Sequence, residues 1–563
     1  MKRREFLKKS LQTTTIVTLS NTLLNKAFAN KKVLTYKTGN PLRFPPVLIG
    51  NDLTLSKINY NIFPNATTEV YAMNNSYLAP TVLVEKGNYV SVNFTNQLTN
   101  EDVTIHWHGL ILPELMDGHP KDPIHPGNNY TYTFPVINNA GTYFYHAHTH
   151  ELTAKQVYQG FAGFFIVTDS NESQLGLPTG NFDIPLVFQD HRAQNIPQFT
   201  YSPSMIEVMD GFLGDIVLVN GTYDPYFEIS KTLYRFRLLN GSNARVYKIA
   251  FSNNQNFYVI GNDGGLIDTP ILASNIFLAP GERADILVDF SNLQIGENMF
   301  FKSLSFPASG MGTQYIQGTE MNLLRLDVVS DTQSNGIIPQ TLFPIQRYDE
   351  NDIVNTRSFV LTMSMGGGGM HKINNKIFDM NRIDEEINLG DLEMWQVVNL
   401  TDEFHPIHIH GIQFQVLERS SGSLSPTEVG WKDTILVNPN ETVKLFLKFS
   451  DYTGLFLIHC HNLEHEDDGM MLNIRINDPN SIKENDSENN EIKISSNRNL
   501  IQFNFQNLKE ENSIQIFDVI GKKIFEDTIP QNVNSYLLNS QKFSNGIYFG
   551  HIGKMKFKFS IVK

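Results

Sequence analysis

Short runs of alternating apolar and polar residues predict β-strands along much of the chain. Residues 81–94, TVLVEKGNYVSVNF, predict two such strands around a Lys86-Gly87-Asn88 turn. The same alternation recurs at residues 285–290 and 444–449. Because successive side chains of a strand point to opposite faces, such a pattern buries one face of a sheet. Long stretches with helical periodicity are few, so the pattern predicts an all-β protein.

The length of the chain requires more than one hydrophobic core. It has 563 residues, whereas single cores stop growing at about 250–300 residues. The 38 Gly and 25 Pro suit the turns between short strands. Strands and turns at this spacing predict several domains built as Greek-key sandwiches or barrels.

Charge and cysteine content exclude some functions. The formal net charge is −14, and the first 29 residues carry six Lys or Arg and one Glu, so the remainder is near −19. Binding to nucleic acid requires a basic patch, and we therefore expect no nucleic-acid partner. The single cysteine cannot form an intramolecular disulfide, so the cores and any bound metal must stabilise the fold.

That cysteine lies in a dense group of metal-ligand side chains. Residues 459–470 read HCHNLEHEDDGM. A thiolate, a histidine and a weak thioether are the ligand types of a blue-copper electron-transfer site. On a strand, Cys460 would face one metal, whereas His459 and His461 would face away, toward another. Two metal centres would then be joined through adjacent covalent bonds, which suits electron transfer.

Three further histidine clusters precede it. They are His106-Trp107-His108-Gly109, His146-Ala147-His148 and His405-Pro406-Ile407-His408-Ile409-His410-Gly411. Each His-x-His pair places both imidazoles on one face of a strand, as a shared metal cluster requires. The spacing from His405 to His408 is odd, so His405 would point away and is free to join the Cys460 site. A lone histidine is more often a core or surface residue; four clusters with one cysteine favour copper.

The four segments resemble the signatures of the multicopper oxidases. They occur in the family's order over roughly residues 45–477, and the HEDDGMM ending at 465–471 is similar to that of bacterial laccases, bilirubin oxidases and cuprous oxidases. The resemblance implies three cupredoxin-like Greek-key domains, at 45–172, 180–332 and 350–477. The middle domain has no ligand motif, and by this resemblance it mostly spaces the outer two.

The resemblance also implies four copper ions: one type 1, one type 2 and two type 3. The type 1 copper would bind His405, Cys460 and His465, with Met470 as the weak axial ligand and Met471 a packing residue. The type 2 copper would bind His106 and His408, and the type 3 pair would bind His108, His146, His148, His410, His459 and His461. No ligand position is substituted.

Two acids would act in catalysis by this resemblance. Asp117 and Glu466 would help to deliver protons to bound oxygen, although Asp117 is equally explained as a turn residue in Met116-Asp117-Gly118. The remaining histidines of interest have no partners at metal spacing or exceed the family's ligand set. We expect surface or packing roles for His119, His125, His150, His191, His371 and His551.

The implied activity is that of an oxidase with O2 as the acceptor. In the family, a reducing substrate gives single electrons to the type 1 copper, and they pass through Cys460 to the trinuclear cluster, where O2 is reduced to water. We expect a laccase-like phenol or aromatic amine as donor. Cu(I) in copper detoxification is the alternative, for which the chain offers only Met363, Met365 and Met370 in one segment. A non-catalytic copper-binding surface protein is an alternative of another class, which the complete ligand set disfavours.

Both ends of the chain resemble export signals. Residues 1–29 resemble a twin-arginine signal peptide, and their apolar stretch is too short and polar to span a membrane. Residues 478–495 read as an exposed linker. Residues 496–563 resemble the small β-sandwich sorting domain of type IX secretion cargo; a partner- or carbohydrate-binding β-domain is the alternative. We expect export through the periplasm of a Gram-negative, Bacteroidetes-type bacterium, then release or surface attachment by the secretion machinery, without a transmembrane segment.

Overall fold

The structure is a computed structural model. It describes residues 39–310, 314–334, 336–364, 370–479, 492–497, 500–505, 508, 511–544, 546–553 and 555–561. The expected signal peptide and most of the expected linker lie outside the described residues. Among those that are described, no helix has both the length and the apolar character needed to cross a membrane.

The first domain consists of two four-stranded sheets. Their orders are β3-β2-β5-β7 and β4-β9-β8-β6. A short strand, β1 (Asn40–Pro41), precedes them and pairs with the middle domain instead. The strands are β2 (Asp52–Tyr60), β3 (Thr68–Met73), β4 (Val82–Glu85), β5 (Tyr89–Asn96), β6 (Ile105–His108), β7 (Asn129–Pro135), β8 (Gly141–Ala147) and β9 (Ala162–Thr168).

The middle domain has a six-stranded and a seven-stranded sheet. Their orders are β1-β13-β21-β20-β15-β18 and β12-β11-β10-β14-β19-β16-β17. The strands are β10 (Asp183–His191), β11 (Ile216–Val219), β12 (Thr222–Tyr223), β13 (Pro225–Ser230), β14 (Leu233–Asn240), β15 (Tyr247–Phe251), β16 (Phe257–Asn262), β17 (Gly265–Ala273), β18 (Asn275–Leu278), β19 (Arg283–Asp289), β20 (Asn298–Ser303) and β21 (Met321–Ser330).

The third domain has two five-stranded sheets. Their orders are β23-β22-β25-β29-β27 and β24-β31-β30-β26-β28. The strands are β22 (Asn355–Met363), β23 (His371–Ile373), β24 (Glu385–Asn388), β25 (Glu393–Asn399), β26 (His405–Ile409), β27 (Gln415–Arg419), β28 (Thr434–Val437), β29 (Thr442–Leu447), β30 (Gly454–Cys460) and β31 (Met471–Asn477).

The C-terminal module has a three-stranded sheet, β32-β33-β36, and a four-stranded sheet, β35-β34-β37-β38. Its strands are β32 (Ile492–Asn497), β33 (Leu500–Phe505), β34 (Asn512–Phe517), β35 (Lys523–Ile529), β36 (Ser535–Asn539), β37 (Gly546–Ile552) and β38 (Met555–Ile561). A core of its own, which includes Ile501, Phe503, Ile514 and Ile516, lies between the sheets.

Helices are few and short in the part of the chain that the structure describes. The α-helices are α1 (Glu114–Asp117), α2 (Thr153–Tyr158), α3 (Ser170–Ser173), α4 (Met205–Asp210) and α5 (Leu463–Asp467). Single 3-10 turns occur at Gly180–Phe182, Ala193–Asn195, Glu350–Asp352, Pro426–Glu428 and Ser540–Lys542. Ser204 begins α4 with a capping box that includes Glu207, which satisfies free backbone N–H groups at its start.

The alternating patterns form strands, but their burial depends on what covers each sheet. In β5 the side chains of Val90, Val92 and Phe94 are buried and those of Tyr89 and Ser91 are exposed, as alternation predicts. In β19, residues 283–288 are buried on both faces. Arg235 and Thr142 of the first domain cover the polar face of β19, where both donate hydrogen bonds to Asp285. The all-β prediction, with three cupredoxin-like domains and a C-terminal β-module, is confirmed.

Candidate metal centres

Four strands of the outer two domains carry six of the clustered histidines, and three more follow directly after these strands. Strand β6 pairs with β8 so that His106 lies opposite His146, and β26 pairs with β30 so that His408 lies opposite His459. The intervening residues point the other way, into the cores. Trp107, for example, is fully buried, with its ring 5.4 Å from that of Tyr132. Each strand is thus anchored by its core-facing side chains, while its histidines, except His405 of β26, face the contact between the two domains.

At that contact, ring nitrogens of different histidines approach closely. Two donors about 2.0 Å from one metal ion, at a tetrahedral angle, would lie about 3.3 Å apart. The observed separations are His106 Nε2 to His408 Nε2, 3.2 Å; His108 Nδ1 to His146 Nε2, 3.3 Å; His148 Nε2 to His459 Nε2, 3.4 Å; and His410 Nε2 to His459 Nε2, 3.0 Å. His461 completes the set, with both ring nitrogens buried and without a hydrogen-bond partner.

These histidines suit a metal electrostatically. Burial lowers the pKa of His106 and of His408 well below the ordinary value, and neighbouring imidazoles lower it further. Neutral imidazoles offer lone pairs to a cation. Orphaned, closely spaced lone pairs in a fully buried site are costly without one. The residues present therefore fit a multinuclear metal cluster.

A second group surrounds the cysteine on the opposite face of β30. Cys460 Sγ lies 3.6 Å from Nδ1 of His405 and 3.6 Å from Nδ1 of His465, and these two nitrogens lie 3.3 Å apart. All three side chains are buried. Burial raises the pKa of the Cys460 thiol well above its ordinary value, so a bound cation is the means by which it becomes a thiolate. The donor set of one sulfur and two nitrogens fits copper.

The two methionines after Gly469 face different groups. Met471 lies opposite His459 in the β30–β31 pair, so its side chain shares the face of that histidine. It lines a cavity together with His148. Met470 precedes β31; its carbonyl accepts from the Cys460 N–H at 3.0 Å, and its side chain packs in the core with Cys460. Met470, rather than Met471, is therefore on the cysteine side.

Asp117 lies in a turn, as one of the two interpretations of its sequence predicts, and it also contacts clustered histidines. It ends α1, and Gly118 continues in a left-handed turn at φ +86°. Its carbonyl accepts from His106 Nδ1 at 2.7 Å, and its Oδ2 lies 2.7 Å from His410 Nδ1. Burial raises the pKa of the Asp117 carboxyl well above its ordinary value. A turn residue thus also orients two of the clustered histidines, as outer partners of metal ligands do.

Glu466 lies on the other side of the cluster. Its Oε2 is 3.2 Å from His459 Nδ1, and its Oε1 is 3.7 Å from His148 Nδ1. It also lines a cavity of about 330 Å³ between the first and third domains, along with Asp467 and Asp468. Since the exposed Glu151 lines the same cavity as the buried His148, the cavity connects the protein surface with the cluster.

Several polar partners of the histidines could not be found from spacing alone. Thr401 Oγ1 lies 2.8 Å from His405 Nε2, and the Met209 carbonyl, in α4 of the middle domain, lies 2.7 Å from His465 Nε2. Asp433 lies 3.0 Å from His108 Nε2. Only Thr401 is near its histidine in sequence, and none of these residues belongs to a repeated motif.

The six histidines expected outside the ligand set have varied surroundings. His371 is the exception to a simple packing role: its ring stacks on that of His465, with centroids 3.7 Å apart, and its Nε2 lies 2.8 Å from Glu403 Oε2. His119 bonds to Asn473, and His191 packs between Phe199 and Tyr158. The remaining ones are exposed or partly exposed: His125, His150 and His551.

Comparison with known proteins gives family matches over most of the chain. The chain matches multicopper oxidase family models at residues 54–172, 209–322 and 347–480, and a secretion system C-terminal sorting domain at 480–562. It is 32% identical to the multicopper oxidase Mco of Staphylococcus epidermidis, over 79% of this chain and 94% of that protein.

Two further relatives extend the comparison. The chain is 30% identical to a laccase of Bacillus subtilis, over 75% of this chain and 90% of that protein. Its fold is similar to the crystal structure of the McoA multicopper oxidase from Aquifex aeolicus, with a TM-score of 0.72 and 36% identity over 78% of this chain and 100% of that one.

Proposed function

Because the chain belongs to the multicopper oxidase family, we propose that it couples the one-electron oxidation of phenols or aromatic amines to the four-electron reduction of O2 to water. One observation carries this proposal. Cys460 lies within reach of His405 and His465, whereas its chain neighbour His459 lies within reach of His410. Copper at the two groups would supply the one-electron redox chemistry. Adjacent peptide bonds of one strand would then join the two sites.

We assign the copper ligands on the observed grouping and the family pattern together. The type 1 set is His405, Cys460, His465 and the axial Met470, and the type 2 set is His106 and His408. The two type 3 sets are His108, His146 and His461 for one ion, and His148, His410 and His459 for the other. The nitrogen separations and the shared burial of these side chains support the assignment of four ions.

Protons for water formation would reach the cluster by transfer through the carboxyl group of Glu466. Reduction of O2 to two waters consumes four protons, so a carboxyl group between cluster and solvent is chemically useful. Glu466 has this position, because it contacts His459 Nδ1 and lines the cavity. Asp117, on the far side, is fully buried and holds His410 Nδ1 through its Oδ2. We therefore assign proton transfer to Glu466 and mainly ligand orientation to Asp117.

Cu(I) is a second candidate donor, favoured by the surroundings of His465. His371 stacks on this ligand and contacts Glu403, and Met370 precedes His371. Imidazole and thioether are ligand types that bind copper, and thioether favours Cu(I). Met365, the third methionine of this segment, lies outside the described residues. The aromatic donor remains our first proposal because laccase is among the relatives.

The C-terminal sorting domain indicates export through type IX secretion. We propose that residues 1–29 direct the first export step to the periplasm and that the protein is then released or held at the surface of a Bacteroidetes-type cell. The domain boundaries given above are part of the same proposal. A non-catalytic copper-binding protein is the alternative of another class, and the closely spaced, fully buried donor sets disfavour it.

The test compares donors on one enzyme preparation. Copper-loaded protein lacking residues 1–29 is assayed for O2 uptake with a substituted phenol and with Cu(I), alongside His371→Phe. We expect faster uptake with the phenol and little effect of His371→Phe on that rate. Faster uptake with Cu(I), lost selectively in His371→Phe, would replace the first donor by the second. No uptake with either donor would favour the binding protein.

A further inference from the structure

The middle domain contributes a buried arginine to the neighbourhood of the metal cluster. Arg283 begins β19 and is fully buried. Its Nη1 donates to Asp433 Oδ1 of the third domain at 2.7 Å, and its Nη2 donates to Asp433 Oδ2. This is a bidentate pair, the geometry in which a planar guanidinium holds a carboxylate most firmly.

The remaining donors of Arg283 fix the guanidinium itself. Its Nε donates to the Thr142 carbonyl of the first domain at 3.0 Å. Its Nη1 and Nη2 also donate to the carbonyls of Gly281 and Asp263, at 2.8 and 2.9 Å. A guanidinium has five N–H donors, so all of them are used. One side chain therefore links the three domains, and its orientation is fully determined.

The carboxylate that Arg283 holds contacts the proposed copper ligands. Asp433 Oδ1 lies 3.0 Å from His108 Nε2, and the Asp433 carbonyl lies 2.8 Å from His408 Nδ1. Thr434 Oγ1 lies 3.0 Å from the first of these nitrogens and 3.2 Å from the second. In each histidine this nitrogen is the one that does not face the other cluster histidines. Asp433 and Thr434 thus hold the outer nitrogens of two ligands.

The two histidine rings are held as a unit. The rings of His108 and His408 stack with centroids 3.8 Å apart and an interplanar angle of 14°. They come from different domains and, in the assignment above, serve different copper ions. A rotation of either ring would therefore disturb both ions. Asp433, by contacting both rings, is placed to prevent it.

The neighbouring cation Lys432 does not compete with Arg283 for the carboxylate of Asp433. Lys432, the adjacent cation, points instead to Asp263 Oδ2 at 2.8 Å and Glu282 Oε1 at 3.1 Å. Gly109 leaves the space that the pair needs, because a Cβ at this residue would lie 2.3 Å from Asp433 Oδ2 and 2.6 Å from Arg283 Nη2. The pair is therefore enclosed and specific.

We propose that Arg283 is a positioning residue for copper binding, which acts through Asp433 on His108 and His408. The proposal rests on the copper ligation proposed above and gives the middle domain a part in it. Metal-bound histidines commonly donate their outer N–H to a carboxylate, and loss of such a partner typically costs 10- to 100-fold in metal affinity. Lysine cannot replace arginine here, because it lacks the planar fork.

The test uses Arg283→Lys with a matched control, Arg235→Lys. Arg235 is another buried arginine of the middle domain; it pairs with Asp285 and Glu172 and contacts none of the proposed ligands. Apo-protein is titrated with copper. Binding is followed by the total copper retained, by the blue absorption of the type 1 site and by the electron paramagnetic resonance signal of type 2 Cu(II). Denaturant unfolding of each apo-protein measures the general loss of stability.

We expect Arg283→Lys to weaken copper binding at the type 2 and type 3 sites by roughly 10- to 100-fold and to alter the type 2 signal. Type 1 binding should stay as in the wild type. Arg235→Lys should lose comparable apo-protein stability yet bind all copper normally. Asp433→Asn, which keeps the size of the side chain, should reproduce the loss in affinity if Arg283→Lys folds poorly.

Two results would overturn the inference and leave the proposed function intact. One is wild-type copper affinity and an unchanged type 2 signal in Arg283→Lys or Asp433→Asn. The other is an equal loss of affinity in Arg235→Lys, which would show a general effect of buried charge. Failure of the proposed function looks different, because the wild-type protein itself would then bind copper only at the type 1 group, or not at all.

Discussion

Replacing Gly281 by alanine should disturb the metal cluster from a domain that supplies none of its ligands. Gly281 precedes β19 in the middle domain and has φ +81°. A Cβ built on it would lie 3.0 Å from Cδ2 and from Nε2 of His461 and 3.1 Å from Cε1 of His108. These distances are shorter than ordinary van der Waals contacts, so the two rings must move by a few tenths of an ångström.

The size of the effect can be separated into two parts. Alanine in the left-handed region costs about 1–2 kcal/mol wherever it occurs. Forcing a methyl group into a packed site adds about 1–3 kcal/mol. Gly296→Ala isolates the first part, because Gly296 is in the same domain, has φ +96°, and has no atom within 4 Å of its Cβ position.

The assay compares both variants as apo-protein and after copper loading. Free energies of unfolding from denaturant titrations should differ by about 1–3 kcal/mol, with Gly281→Ala the less stable. Copper analysis should show reduced type 2 and type 3 occupancy only in Gly281→Ala, while both variants keep the type 1 blue absorption. Equal stability and equal copper content in the two variants would refute the packing of this loop against His461 and His108.

The remaining predictions concern the cysteine site, the axial ligand, pH and metal removal. Cys460→Ser should abolish the blue absorption and donor oxidation while circular dichroism stays unchanged; residual oxidation would contradict the proposed path. Met470→Leu should raise the type 1 potential in a redox titration and Met471→Leu should not, since only Met470 is on the cysteine side. Burial lowers the pKa of His191 to about 3 in the folded protein. Between about pH 6.5 and pH 3 the unfolded chain binds a proton at His191 and the folded protein does not, so the free energy of unfolding falls as the pH decreases. Between pH 8 and 5 this proton binding lowers the free energy of unfolding by about 2 kcal/mol. His191→Phe should abolish this part of the pH dependence in unfolding titrations, and an unchanged pH slope would contradict the prediction. Removal of copper by a chelator should lower the denaturation midpoint of the wild type, because copper binds the folded state; an unchanged midpoint would argue against ligation.

The strands and the ligand groups could be predicted from the sequence because both depend on local spacing. Alternation predicted β4 and β5 around Gly87, and the His-x-His spacing predicted which imidazoles share a face. The odd offset of His405 from His408 predicted its separation from the other two histidines, and His405 lies beside Cys460. A period of two residues is a property of the strand itself, and distant parts of the chain do not alter it.

The contacts that other residues make to the outer nitrogens of the histidine ligands could not be predicted in this way. Arg283 and Asp433 are 150 positions apart in the chain, and neither has a repeated spacing to a histidine. Met209 contacts His465 through its carbonyl group, which any residue type possesses. His371 was expected to have an ordinary packing role, yet it stacks on His465. Such contacts arise from the packing of domains, which side-chain patterns along one strand do not encode.

The proposed oxidase activity is tested most sharply by the number of donor electrons consumed per O2 by the copper-loaded protein. Electron transfer from the Cys460 group to the histidine cluster predicts four electrons per O2, with water as the only product of O2 reduction, whichever donor is used. Oxygen uptake is measured against donor oxidation in the absence of catalase, and catalase added at the end releases O2 if peroxide has accumulated. A ratio near four without peroxide would support the proposed activity. A ratio near two with peroxide, or no uptake by fully loaded protein, would contradict it.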